Sequence, residues 1–175
     1  MILTRLQTLL FGIPLITLFG SLMGFPFQEK DWSIFLPEDE SKHLVTHLCL
    51  SCHDLGLVVT RRGDYAFWEK TIIYMNTEGA DIRHEESALL STYLSSHFGR
   101  DQKPVIFPID INKATREVIE LIQPIARQAE SILKARAGSG GFLKLEELLK
   151  VEGITEESFQ KVRPFLSLSS PSRPR

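Results

Sequence analysis

The chain has 175 residues, of which 43% are apolar and 24% charged, with a formal net charge of -2. These fractions are those of an ordinary globular protein and exclude a chain kept unfolded by low hydrophobicity, and the length allows one medium domain or two small ones. The charge is uneven, with a balance of -5 from Pro26 to Pro104 and +2 from Val105 to Arg175, and +2 does not identify a nucleic-acid binder.

Arg5 is the only charge before Glu29, and Leu6 to Gly24 is almost entirely apolar. A basic residue followed by such a run predicts a secretory signal peptide over residues 1–24. The run also approaches the ~20 residues that span a bilayer, so an uncleaved N-terminal anchor is the other reading. Both place the body of the chain outside the cytoplasm, periplasmic or extracytoplasmic. Contact with a membrane is expected only if the leader stays on.

The front module is expected over residues 25–103. Pro37 followed by Glu38, Asp39 and Glu40 reads as a helix start, with acidic residues at the positive end of the helix dipole. His43, Leu44, His47 and Leu48 continue at helical spacing into Cys49-Leu50-Ser51-Cys52-His53, which closes this first helix. Two thiols three positions apart followed by His are the pattern of covalent haem attachment, with each thiol added to a vinyl group and His53 on the iron as proximal ligand. Cys49 and Cys52 are the only cysteines in the chain. A second helix is predicted over Tyr65–Met75, with Phe67, Trp68 and Ile72 on one face, and a third over Glu85–Phe98, stopped by Gly99.

Met75 is the only methionine beyond the leader and is the candidate distal axial ligand, since a thioether opposite His53 suits electron transfer. A gap-filling core methionine is the alternative reading. His84 and His97 are rival ligands, with His84 in a solvated-looking helix start. His43 and His47 lie on the motif's own helix and face the wrong way. Arg61 and Arg62 are either partners for a haem propionate or a solvated charge pair.

The order Cys49-x-x-Cys52-His53-Asp54-Leu55, Arg62, Trp68, Met75, Gly79-Ala80, then Leu90-x-x-Tyr93-Leu94 and Phe98-Gly99 resembles the small class I-type cytochrome c domains. It is similar to the haem domains associated with quinoprotein dehydrogenases. The resemblance implies one covalent haem c, Met75 on the iron, and one-electron transfer at an exposed haem edge.

The rear module is expected over residues 104–168. Pro104 and Pro108 bracket an apolar linker, and short helices are predicted over Ala114–Leu121, Ile125–Arg136, Leu145–Lys150 and Glu156–Val162. The residues Ile111-Asn112-Lys113-Ala114-Thr115, Ala129-x-x-Ile132-x-x-x-Arg136 and Gly140-Gly141-Phe142-x-x-Leu145-Glu146-Glu147-Leu148-Leu149-x-Val151-x-Gly153-Ile154 resemble the helix-hairpin-helix repeats of competence-type (ComEA-like) DNA receptors. In that family each hairpin carries a Gly-hydrophobic-Gly turn whose backbone N–H groups approach a DNA phosphate. Here the first hairpin has Gln123-Pro124-Ile125, with both glycines gone, and the second has Gly153-Ile154-Thr155, with one kept. Glu152, Glu156 and Glu157 surround that turn. A docking or packing role is therefore the expectation, ahead of DNA binding. Residues 169–175 read as a disordered tail.

The expected protein is all-α, with a cytochrome c domain followed by a helix-hairpin-helix domain. Its expected function is that of an exported monohaem electron carrier, a metal-binding iron protein and not an enzyme. The rear module would dock a redox partner protein such as a periplasmic dehydrogenase. The alternative is an extracytoplasmic, competence-type DNA-binding protein in which a haem is structural or redox-sensing.

Overall fold

The computed structural model describes residues 30–169. The expected leader (1–24) and residues 170–175 of the expected tail lie outside the described residues. Ser169, the first residue of that tail, is held in place: its N–H donates to Asp110 Oδ1 at 3.2 Å and its carbonyl accepts from Asn112 Nδ2 at 3.0 Å.

The front segment is helical, as expected, but its first helix is broken. Helix α1 (Lys42–Leu44) runs into a wider π-helical stretch, Val45–Cys49, and the chain then turns. The carbonyl of Cys49 accepts from both Cys52 N and His53 N at 3.4 Å, which closes that turn. A short helix α2 (Gly56–Thr60) follows. The two long helices are α3 (Tyr65–Thr77) and α4 (His84–His97). Asp64 caps α3 by accepting from Phe67 N at 2.8 Å, satisfying one of the orphan donors of the first turn. Trp68 and Ile72 of α3 are buried, as are Leu90, Tyr93 and Leu94 of α4. Glu86 caps α4 from inside its first turn, accepting the Arg83 N–H at 3.0 Å.

The rear segment opens with strand β1 (Ile109–Asp110), which pairs in parallel with β2 (Leu166–Ser167) and so brings the two ends of this segment together. Strands of two residues show no alternation, and for that reason the sequence gives no sign of them. Between them lie α5 (Arg116–Glu120), a 3-10 segment Gln123–Gln128, α6 (Ala129–Ser139), a 3-10 segment Leu145–Lys150 and α7 (Glu156–Val162). Thr115 and Thr155 cap α5 and α7 through their hydroxyls. Gly140, at φ 71°, ends α6 in the left-handed conformation that glycine adopts without strain.

The apolar residues of both segments form one contiguous core. At the junction Phe35 and Trp32, from a 3-10 turn at Trp32–Phe35, meet Phe107 and Phe165 edge to face. The ring centroids of the four front-to-rear pairs lie 4.9 to 5.0 Å apart. Phe165 is fully buried there. Such edge-to-face pairs place the positive ring edge against the negative face of a neighbour.

Candidate nucleic-acid interface

The motif residues of the front segment are only partly assembled. Cys52 and His53 line an open hollow of about 510 Å³ together with Lys30, Asp31 and Trp32. His53 Nδ1 donates to the Asp54 carbonyl at 2.6 Å, which leaves Nε2 as the acceptor. Cys49 is buried instead, and burial, aided by the nearby Cys52, pushes its thiol up to about 11. Met75 is half-buried on α3 and does not line the hollow that holds His53. The hollow therefore brings Cys52 and His53 together without Met75. Arg62 is committed elsewhere, donating to the carbonyls of Val59, Arg61 and Lys103, with its guanidinium 5.5 Å from the Phe98 ring centroid.

In the rear segment two hairpins pack side by side. The first joins α5 to α6 through Gln123-Pro124-Ile125, and buries Ile122 and Ile125 completely. The second joins the 3-10 segment Leu145–Lys150 to α7 through a turn at Val151–Thr155. Val151 and Ile154 point into the core, and Glu152, Gly153 and Thr155 are exposed. Gly153 has φ 84°, a conformation that disfavours any side chain. Ile154 N donates to Val151 O at 3.1 Å, while the N–H groups of Glu152 and Gly153 have no partner among the described residues. The turn therefore offers backbone donors to solvent.

Two interactions lock the hairpins to the start of the segment. Asn112 Oδ1 accepts from Phe142 N at 2.8 Å while its Nδ2 donates to Phe142 O at 2.9 Å. Arg136 Nη1 donates to the carbonyls of Ile111 and Ala114 at 3.0 and 2.7 Å, so this arginine is a strut and not surface charge. Lys113, Arg116, Lys161 and Arg163 are paired with carboxylates. Arg127, Lys134, Lys144 and Lys150 are exposed and have no ion pair among the described residues. Of the acidic residues at the turn, Glu157 is bound to Lys161 at 2.7 Å and Glu156 accepts from Gln160 at 2.7 Å.

Residues 106–167 match the family model of the helix-hairpin-helix motif. This part of the chain is a helix-hairpin-helix module. A stretch of 61 residues is also 34% identical to ComE operon protein 1 of Bacillus subtilis (strain 168), covering 34% of this chain and 30% of that protein. The chain thus matches less than a third of its relative's length. No solved structure matches.

These findings correct the reading of the chain as a c-type cytochrome. Its recognisable relationship runs through the helix-hairpin-helix module to a ComE protein. Among the described residues no group of three or more His, Cys, Asp or Glu side chains is arranged to hold a metal ion. The similarity thus runs to a helix-hairpin-helix protein and not to a cytochrome c, and Met75 is not among the residues that line the hollow at His53. Nor does any helix among the described residues have the length and apolarity to cross a membrane. Sequence reasoning missed Asn112 and Arg136 as struts, because their partners lie 22 to 57 residues away and leave no local signature.

Proposed function

We propose that the protein is an extracytoplasmic DNA-binding protein, in which the helix-hairpin-helix module holds the phosphate backbone of duplex DNA without reading its sequence. The observation that carries this reading is the exposed Glu152-Gly153 turn, with two free backbone N–H groups, in a module of helix-hairpin-helix type. Backbone N–H groups position a protein on phosphate oxygens and carry no base information. Arg127, Lys134, Lys144 and Lys150 add exposed positive charge, that of Lys144 and Lys150 partly offset by Glu147. Glu152 opposes it, so the affinity expected is modest. The likeness to a ComE protein supports the same reading, as does the apolar leader for export. The protein acts in this account by binding and not by catalysis.

The test is a gel shift with the purified protein and a duplex of mixed sequence at low salt. Binding of unrelated duplexes with similar affinity is expected. Absence of a shift at ~50 mM salt, where phosphate contacts are strongest, contradicts the proposal.

A further inference from the structure

The first hairpin has no glycine turn of its own, yet it supplies a side chain to the second. Gln128 ends the 3-10 segment Gln123–Gln128 of the first hairpin and is half-buried. A Cβ placed on Gly153 would lie 2.9 Å from Gln128 Nε2 and 3.1 Å from its Cγ, so the carboxamide sits directly against the second hairpin's turn. That carboxamide has no hydrogen-bond partner among the described residues. The amide atoms stay open to solvent and so to a ligand, and the Gly153 backbone, whose N–H is free like that of Glu152, lies against them.

Resting on the DNA-binding reading above, we infer that Gln128 Nε2 and the Glu152-Gly153 backbone N–H groups form one composite notch for a single DNA phosphate. The notch is built across both hairpins. Gln128 supplies a donor with no charge, and Arg127, exposed one residue earlier on the same 3-10 segment, supplies positive charge. Gly153 is required twice over, for its positive φ and because any side chain there meets Gln128. Glu152 keeps the notch weak for free anions, so it works only with the charge of the duplex and the surrounding cations engaged.

Fluorescence anisotropy with a labelled duplex, on the full chain over a range of salt concentrations, tests this with three variants. Gln128→Ala removes the donor, and binding weakens ~3- to 10-fold, the range for one hydrogen bond. Its slope of log K against log salt stays as in the parent, because a neutral amide releases no counterion, and its melting temperature is unchanged. Gln128→Glu has the same shape but places a carboxylate against the phosphate, and it weakens binding further than Gln128→Ala. Arg127→Ala weakens binding and also reduces the slope by about 0.9. Binding by both Gln128 variants within twofold of the parent, with Arg127→Ala impaired, overturns the composite notch and leaves DNA binding standing. Failure of the parent protein itself to bind overturns both.

Discussion

Asn112 shows how much one side chain holds in this molecule. Its carboxamide spans the start of the rear segment, the loop at Phe142 and the end at Ser169, with three bonds between 2.8 and 3.0 Å. Asn112→Ala leaves the N–H of Phe142 and two carbonyls without partners, and a loss of about 1–3 kcal/mol in urea unfolding is expected. Glu86 gives a second prediction, in pH. Its bonds to the Arg83 side chain and backbone hold its carboxyl down to about 2, below the ordinary 4.5. A depressed carboxyl stabilises the fold above its unfolded value and loses that contribution as pH falls through the folded one. Stability should therefore decline from pH ~4.5 toward pH ~2. Glu86→Gln should flatten this part of the acid-unfolding profile, and an unaltered profile would show that another carboxylate governs it.

At the scale of elements, the sequence is legible where periodicity and capping agree. Helix α7 runs over Glu156–Val162 as the pattern predicts, and α3 and α4 differ from expectation by a residue or two at their ends. Thr155, Asp64 and Thr115 cap α7, α3 and α5 just ahead of apolar residues at helical spacing. The first helix was not legible. A smooth apolar pattern through His43, Leu44, His47 and Leu48 carries no sign of the π-helical stretch that buries Cys49 and ends the helix early. The Cys49–His53 motif illustrates a further limit: spacing shows which residues are near in sequence, while a two-ligand site depends on where Met75 lies in three dimensions. The second hairpin was legible as a fold through Gly153. Of the acidic residues beside it, Glu157 is paired with Lys161, while Glu156 accepts only from the neutral Gln160 and keeps its charge.

For the whole molecule, the contiguous core matters more than the division into front and rear. Phe165 belongs to the helix-hairpin-helix module but packs its ring against Trp32 and Phe35 of the front segment. Phe165→Ala should cost about 3–5 kcal/mol, the range for deleting a buried phenylalanine. Because the cluster ties both segments, thermal unfolding should show one transition by circular dichroism and by tryptophan fluorescence, with Trp32 at the junction reporting it. Two separated transitions would show that the junction contributes little. The net charge of -2 does not show where the rear module's cations lie, since cations and carboxylates cancel in a sum but not in space. Arg127, Lys134, Lys144 and Lys150 are exposed and make no close ion pair among the described residues, although Lys144 and Lys150 act on Glu147 at longer range. The central claim is that the helix-hairpin-helix module holds the backbone of duplex DNA. The most direct measurement is the salt dependence of duplex binding by the full chain, followed by anisotropy. The account predicts binding that weakens steadily with salt, with a log–log slope of about -2 to -4 for a handful of phosphates. A protein that stays free of duplex DNA at ~50 mM salt, or binds with no salt dependence, would contradict it.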